Sequence, residues 1–80
     1  MRVRVRYYAS FRDMTGKAEE LLEVSEGITV QGIREHVRGL YEKIARKDQV
    51  LVAVNGSFTA LDRVIEEGDD VAFFPPVSGG

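Results

Sequence analysis

Eighty residues, 44% of them apolar and 30% charged, make one small domain with one compact core and exclude a second. With no cysteine, disulfides, thiolate metal sites and any thioester or persulfide on a side chain of this chain are also excluded. A net charge of −2 gives no overall pull toward nucleic acid or anionic membrane, and no apolar run reaches the ~18 residues of a membrane span, so a soluble cytoplasmic protein is expected.

From residue 2 to residue 8 apolar and charged side chains alternate, with Val3, Val5 and Tyr7 on one face and Arg2, Arg4, Arg6 and Tyr8 on the other. That period predicts a half-buried strand. Residues 11–16 break the pattern and read as the loop of a long β-hairpin, which a weaker strand over residues 18–24 completes. Thr29 is a candidate N-cap for an amphipathic helix to about Arg46, whose stripe is Val30, Ile33, Val37, Leu40 and Ile44. Gly32 and Gly39 fall on its outer face, each at a cost of up to ~1 kcal/mol, for no reason visible in the sequence.

Residues 50–54 predict a third strand that ends at the Asn55-Gly56 turn. A brief strand or turn at residues 61–65 follows, then the Glu67-Gly68-Asp69 turn and a last strand over residues 71–74, halted by Pro75 and Pro76. The first twelve residues hold Arg2, Arg4, Arg6 and Arg12 with no acid, whereas the last twenty hold Asp62, Glu66, Glu67, Asp69 and Asp70 against Arg63 alone. Opposite charge favours placing the last strand beside the first. The expected fold is α+β, a mixed sheet of about five strands with one main helix across one face. Residues 1–75 form the domain and 76–80 a flexible tail with too little side chain to bury.

A hairpin, one helix and a returning strand are similar to the ubiquitin-like β-grasp fold. The run Gly68-Asp69-Asp70-Val71-Ala72-Phe73-Phe74-Pro75-Pro76-Val77-Ser78-Gly79-Gly80 resembles the C-terminal signature of the small, sulfur-carrying subunits of molybdopterin synthase. The resemblance extends through residues 3–8, Arg12, Gly16, the helix and Val52-Ala53-Val54-Asn55. It implies that the first and last strands lie parallel at the sheet centre. It also implies that a ubiquitin-activating-type adenylyltransferase uses ATP to adenylate Gly80, which then becomes a thiocarboxylate. The tail of Pro76, Val77, Ser78, Gly79 and Gly80 enters the large synthase subunit, and its sulfur attacks a cyclic pterin precursor. By the same resemblance the chain binds no cofactor or metal, ATP is consumed by the activating partner, and the catalytic side chains belong to the large subunit.

The residues themselves are compatible with that role. One histidine, no cysteine and no serine, histidine and acid trio at a recognisable spacing leave the α-carboxylate as the reactive group. Glycines at 79 and 80 pass where a side chain would collide, Pro75 and Pro76 stiffen the exit, and the five residues from Pro76 reach at most about 17 Å. Strand alternation places Tyr8 beside Phe74 on the uncovered face, and the resemblance adds Phe58 to an apolar docking patch and Arg12 to the contact with the activating enzyme.

Plainer readings stand beside these: scattered surface aromatics, a loop charge at Arg12, a solvated strand face for Arg2, Arg4 and Arg6, a solvated turn for residues 66–70, and a structural or neutral His36. Three other functions share parts of the pattern. One is a protein modifier joined to lysines through Gly80. The second is a sulfur carrier of the thiamin pathway, disfavoured by Phe74-Pro75-Pro76-Val77. The third is a single-stranded RNA platform, opposed by the net acidity.

Overall fold

A computed structural model describes residues 1–76; the readings placed on Val77, Ser78, Gly79 and Gly80 lie outside the described residues. The elements are β1 (Arg2–Tyr7), α1 (Ala9–Thr15), β2 (Glu19–Glu23), α2 (Val30–Leu40), α3 (Glu42–Ala45), β3 (Leu51–Val54), β4 (Ser57–Phe58) and β5 (Asp70–Phe74). They build one sheet in the order β2-β1-β5-β3-β4. Strand β1 runs parallel to β5, pairing Arg4 with Asp70 and Tyr7 with Phe73, and every other pairing is antiparallel. This is the β-grasp arrangement.

Alternation decides which face is covered. Val3, Val5 and Tyr7 of β1 and Val71 and Phe73 of β5 are buried, packed in one cluster with Val30, Ile33 and Val37 of α2 and with Phe11, Ile44 and Ile65. Each fully buried aliphatic or phenyl group contributes about 1.5–3 kcal/mol. Thr29 caps α2 by accepting the Gly32 N–H on its hydroxyl at 3.1 Å, as its position predicted.

Three expectations need correction. Residues 11–16 do not form a simple hairpin loop, because most of them belong to α1. Phe11 is fully buried and anchors the turn, its N–H bonds the Tyr8 carbonyl at 3.0 Å, and Met14, three residues on, packs against the core. Gly16, at φ +73°, ends α1 by donating its N–H to the Arg12 carbonyl.

The main helix does not run to Arg46. It stops at Leu40, Tyr41 is extended (φ −128°, ψ 105°), and α3 restarts at Glu42, so Ile44 is buried from a separate turn of helix. Leu40 leaves the expected stripe and is half exposed. Of the two alternatives for residues 61–65, brief strand or turn, the turn forms, and the fourth strand is Ser57–Phe58, brought back along β3 by the Asn55-Gly56 turn. Val64 keeps one isolated bridge to Thr29.

Gly32 acquires a reason. A Cβ there would lie 2.8 Å from Cγ1 of Ile28, which packs over the first turn of α2. Nothing in the structure explains Gly39.

The break at Tyr41 has a partner that the sequence did not announce. The Tyr41 and Tyr7 hydroxyls both donate to Oε2 of Glu20, Tyr7 at 2.6 Å, while Nζ of Lys17 donates to Oε1 at 3.0 Å. One carboxylate thereby ties β1, β2 and the α2–α3 joint together. Burial alone would raise the Glu20 pKa, but the hydrogen bonds from Tyr41, Tyr7 and Lys17 outweigh it and hold the carboxyl below its ordinary value. Burial, followed by the bond to Glu20, pushes the Tyr7 phenol up, so the hydroxyl stays a donor.

Because Glu20 titrates lower folded than unfolded, its stabilisation is complete above the unfolded value near 4.3 and is lost as pH falls through the folded one. Glu20→Gln should therefore cost about 1–2 kcal/mol at pH 7. In denaturant titrations the gap to wild type should narrow as pH falls below the unfolded value near 4.3; a gap that stays constant into strong acid would exclude ionised Glu20 as the hub.

Candidate docking face and tail exit

The uncovered sheet face divides into an ionic half and an aromatic half. On the ionic side β1 and β2 lie in register, so that Arg2 meets Glu23 at 2.9 Å and Arg4 meets Glu19 at 3.6 Å. Arg6 lies 3.1 Å from Asp70 of β5 and 3.9 Å from Glu19. All four ion pairs are at the surface, worth about 0–1 kcal/mol each, and the charges of the three arginines and three carboxylates cancel. Leu21 stands exposed among them; its place on the open face was implicit in the alternation of β2 but was not singled out.

The aromatic half is built by three strands. Tyr8 follows β1, held by its N–H to the Phe73 carbonyl at 3.0 Å, and points away from the core that Tyr7 enters. Phe74 is the corresponding residue of β5, and the Tyr8 and Phe74 ring centroids are 5.7 Å apart at 60°. Phe58 arrives through the two-residue turn that pairs it with Ala53, and meets Phe74 edge-on at 5.5 Å and 89°. Such pairs contribute about 0.5–1.5 kcal/mol beyond burial. Phe74 is thus the centre of a row whose outer members remain exposed, Tyr8 at 44% and Phe58 at 65%. The structure brings these three residues together as one contiguous patch, not as scattered aromatics.

Arg12 projects from α1 and lines a cleft with Tyr8, Arg6 and Glu19. Among the described residues the other seven arginines all have an acidic neighbour in ion-pair range, and Arg12 has none. Pro75 and Pro76 leave β5 next to Phe74 and form one wall of a second cleft, lined also by Ser10, Lys47, Asp48 and Gln49. The aromatic row, the unpaired guanidinium and the start of the tail therefore adjoin one edge of the molecule.

The acidic run 66–70 is engaged in turn geometry. Asp69 accepts the Glu66 N–H at 2.8 Å and the Asn55 amide at 2.9 Å, bonds that lower its pKa, the backbone one most. His36 is exposed on α2 beside Glu23, Val24, Ser25 and Ile28, remote in the fold from the aromatic row. Among the described residues no trio of histidine and acid side chains is placed to hold a metal, and no helix is long and apolar enough to cross a membrane.

A family model, that of the ThiS family, matches residues 5–80, almost the whole chain. The chain belongs to the ThiS family. Among ThiS relatives, the molybdopterin synthase sulfur carrier subunit of Haemophilus influenzae is 35% identical over 79 residues, 95% of this chain and 96% of that one. The corresponding subunit of Escherichia coli is 34% identical, over 98% and 99% of the two chains. Among solved structures, SAMP1 of Haloferax volcanii, a small archaeal modifier protein, superposes with a TM-score of 0.84 at 25% identity over the full length of both chains. These matches span nearly the full length of both chains, and the fold is shared with the solved structure.

Proposed function

We propose that this chain is a molybdopterin synthase sulfur carrier subunit, working in the cytosol, whose Gly80 is loaded with sulfur and then delivered into a large subunit. The observation that carries the reading is the near-full-length kinship to sulfur carrier subunits, which runs through the Gly-Gly end. The geometry supports it: a contiguous aromatic row next to the exit of the tail can hold a partner while the tail enters that partner's active site.

A free carboxylate resists nucleophilic attack. An activating adenylyltransferase would join the Gly80 carboxylate to the α-phosphorus of ATP and release pyrophosphate. A hydrosulfide-level nucleophile then forms the C–S bond as the C–O bond to AMP breaks, and loss of the remaining S–H proton to solvent leaves the thiocarboxylate. The chain contributes positioning, through Tyr8, Phe58 and Phe74 against the partner and Arg12 toward a partner carboxylate; the reacting side chains are the partners' own. No bound cofactor enters this scheme, and ATP is consumed by the activating partner.

The test is intact mass after incubation with activating enzyme, ATP and a sulfur donor. One oxygen-to-sulfur exchange located on Gly80 is expected; an unmodified Gly80 alongside a loaded control carrier would refute the proposal.

A second reading, conjugation of Gly80 to lysines of other proteins, is favoured by the likeness to the archaeal modifier. Digestion after basic residues would leave a branch of residues 64–80 on target lysines, because Arg63 is the last basic residue, and sulfur transfer alone leaves none. The ionic half of the open face weighs against the RNA reading, because Arg2, Arg4 and Arg6 already face carboxylates.

A further inference from the structure

We propose that Asn55 is a site of spontaneous covalent modification, an Asn-Gly deamidation site that the folded turn holds shut through Asp69 and Asp70. The inference does not depend on the sulfur-carrier reading.

The chemistry is set by the dipeptide. The backbone nitrogen of Gly56, after losing its proton to solvent base, can attack Cγ of Asn55. The new N–C bond closes a five-membered imide, the bond from Cγ to Nδ2 breaks, and Nδ2 leaves as ammonia. Water then opens either carbonyl, giving aspartate or its isomer linked through the side chain. Glycine in the following position offers no Cβ to obstruct closure. The turn is exposed, with Asn55 at φ +53° and Gly56 at +83°.

The structure opposes this step at both atoms of the side-chain amide. Nδ2, the leaving nitrogen, donates to Oδ1 of Asp69 at 2.9 Å. Oδ1 of Asn55 accepts the Asp70 N–H, also at 2.9 Å. The Asn55 N–H is bonded to the Asp70 carbonyl at 2.8 Å. Asp69 is itself fixed, its other oxygen accepting the Glu66 N–H at 2.8 Å with Arg63 at 3.5 Å. Cγ cannot swing toward Gly56 until the bonds to Asp69 and Asp70 are both given up.

Deamidation would convert this clamp into its opposite. A carboxylate in place of the amide sets an oxygen without a proton against Oδ1 of Asp69, so attraction becomes like-charge repulsion. The isomerised product also adds a methylene to the backbone of a two-residue turn, where loop length fixes register. That turn holds β4, which carries Phe58. Chemical ageing at one amide would therefore loosen one end of the aromatic row.

The test is peptide mapping of the amide-to-acid conversion at Asn55 during incubation at neutral pH, in wild type, in Asp69→Ala, and in Val37→Ala. The last variant weakens the remote core without touching the turn. Conversion should be about tenfold or more faster in Asp69→Ala than in Val37→Ala, the effect of losing a hydrogen bond to a charged acceptor. Equal rates in the two variants would overturn the clamp, and no conversion in the urea-unfolded wild type would overturn the site. Neither result depends on sulfur loading.

Discussion

Removing Gly80 should abolish thiocarboxylate formation while leaving the thermal midpoint of the domain where it was. The sheet, the core and the Glu20 hub are built from residues 1–76, so the deletion removes none of their members. The chemistry has no comparable tolerance. Deletion, or addition of an alanine after Gly80, displaces the acyl carbon by about 3.5 Å, and a misplacement of about 1 Å can already cost 10²-fold. Loading is read by intact mass and stability by thermal unfolding. A shortened or extended chain that accepts sulfur at the normal rate would disprove delivery through the terminal carbonyl.

Phe73→Ala and Phe74→Ala, one residue apart, should fail in opposite ways. Phe73 is fully buried and packs against Tyr7, with ring centroids 6.0 Å apart. Truncating it leaves a cavity and should cost about 3–5 kcal/mol, a large part of the roughly 4–12 kcal/mol expected for a domain of this length. Phe74 lies on the far side of the sheet, against Tyr8 and Phe58. Its loss should spare most of the stability and weaken binding to the large subunit by about 30-fold, the effect of removing an interfacial aromatic anchor worth about 2 kcal/mol. Denaturant melts and calorimetric titration separate the two. Full affinity in Phe74→Ala would remove the aromatic row from the interface.

Much of this was legible in the sequence because period two leaves little freedom. Once Val3, Val5 and Tyr7 face inward, Tyr8 faces outward, and the parallel register with β5 brings it to Phe74. The Asn55-Gly56 signal locates the turn that delivers Phe58, although a two-residue strand such as β4 is too short to show a period of its own.

What escaped were features set by tertiary contact. Helix α1 is too short for a periodic signal and forms because Phe11 is drawn into the core. The end of α2 is marked by no proline and no capping glycine, only by a tyrosine whose hydroxyl finds a carboxylate twenty-one positions away. Gly32 looked unexplained because the side chain that fills its place, that of Ile28, precedes the helix. The isolation of Arg12 depended on where every other charge would go.

The parallel pairing of β1 with β5 has a consequence for biosynthesis. Strand β1 takes its parallel neighbour from β5, at the other end of the domain's sequence, and that neighbour lies at the heart of the sheet. Such long-range closure is slow, and it cannot begin while the final strand is still inside the ribosome. A nascent chain interrupted before Asp70 lacks β5, and with it both ladders at the middle of the sheet, and remains a target for proteolysis. Completion of the central strand and escape from quality control thus become one event.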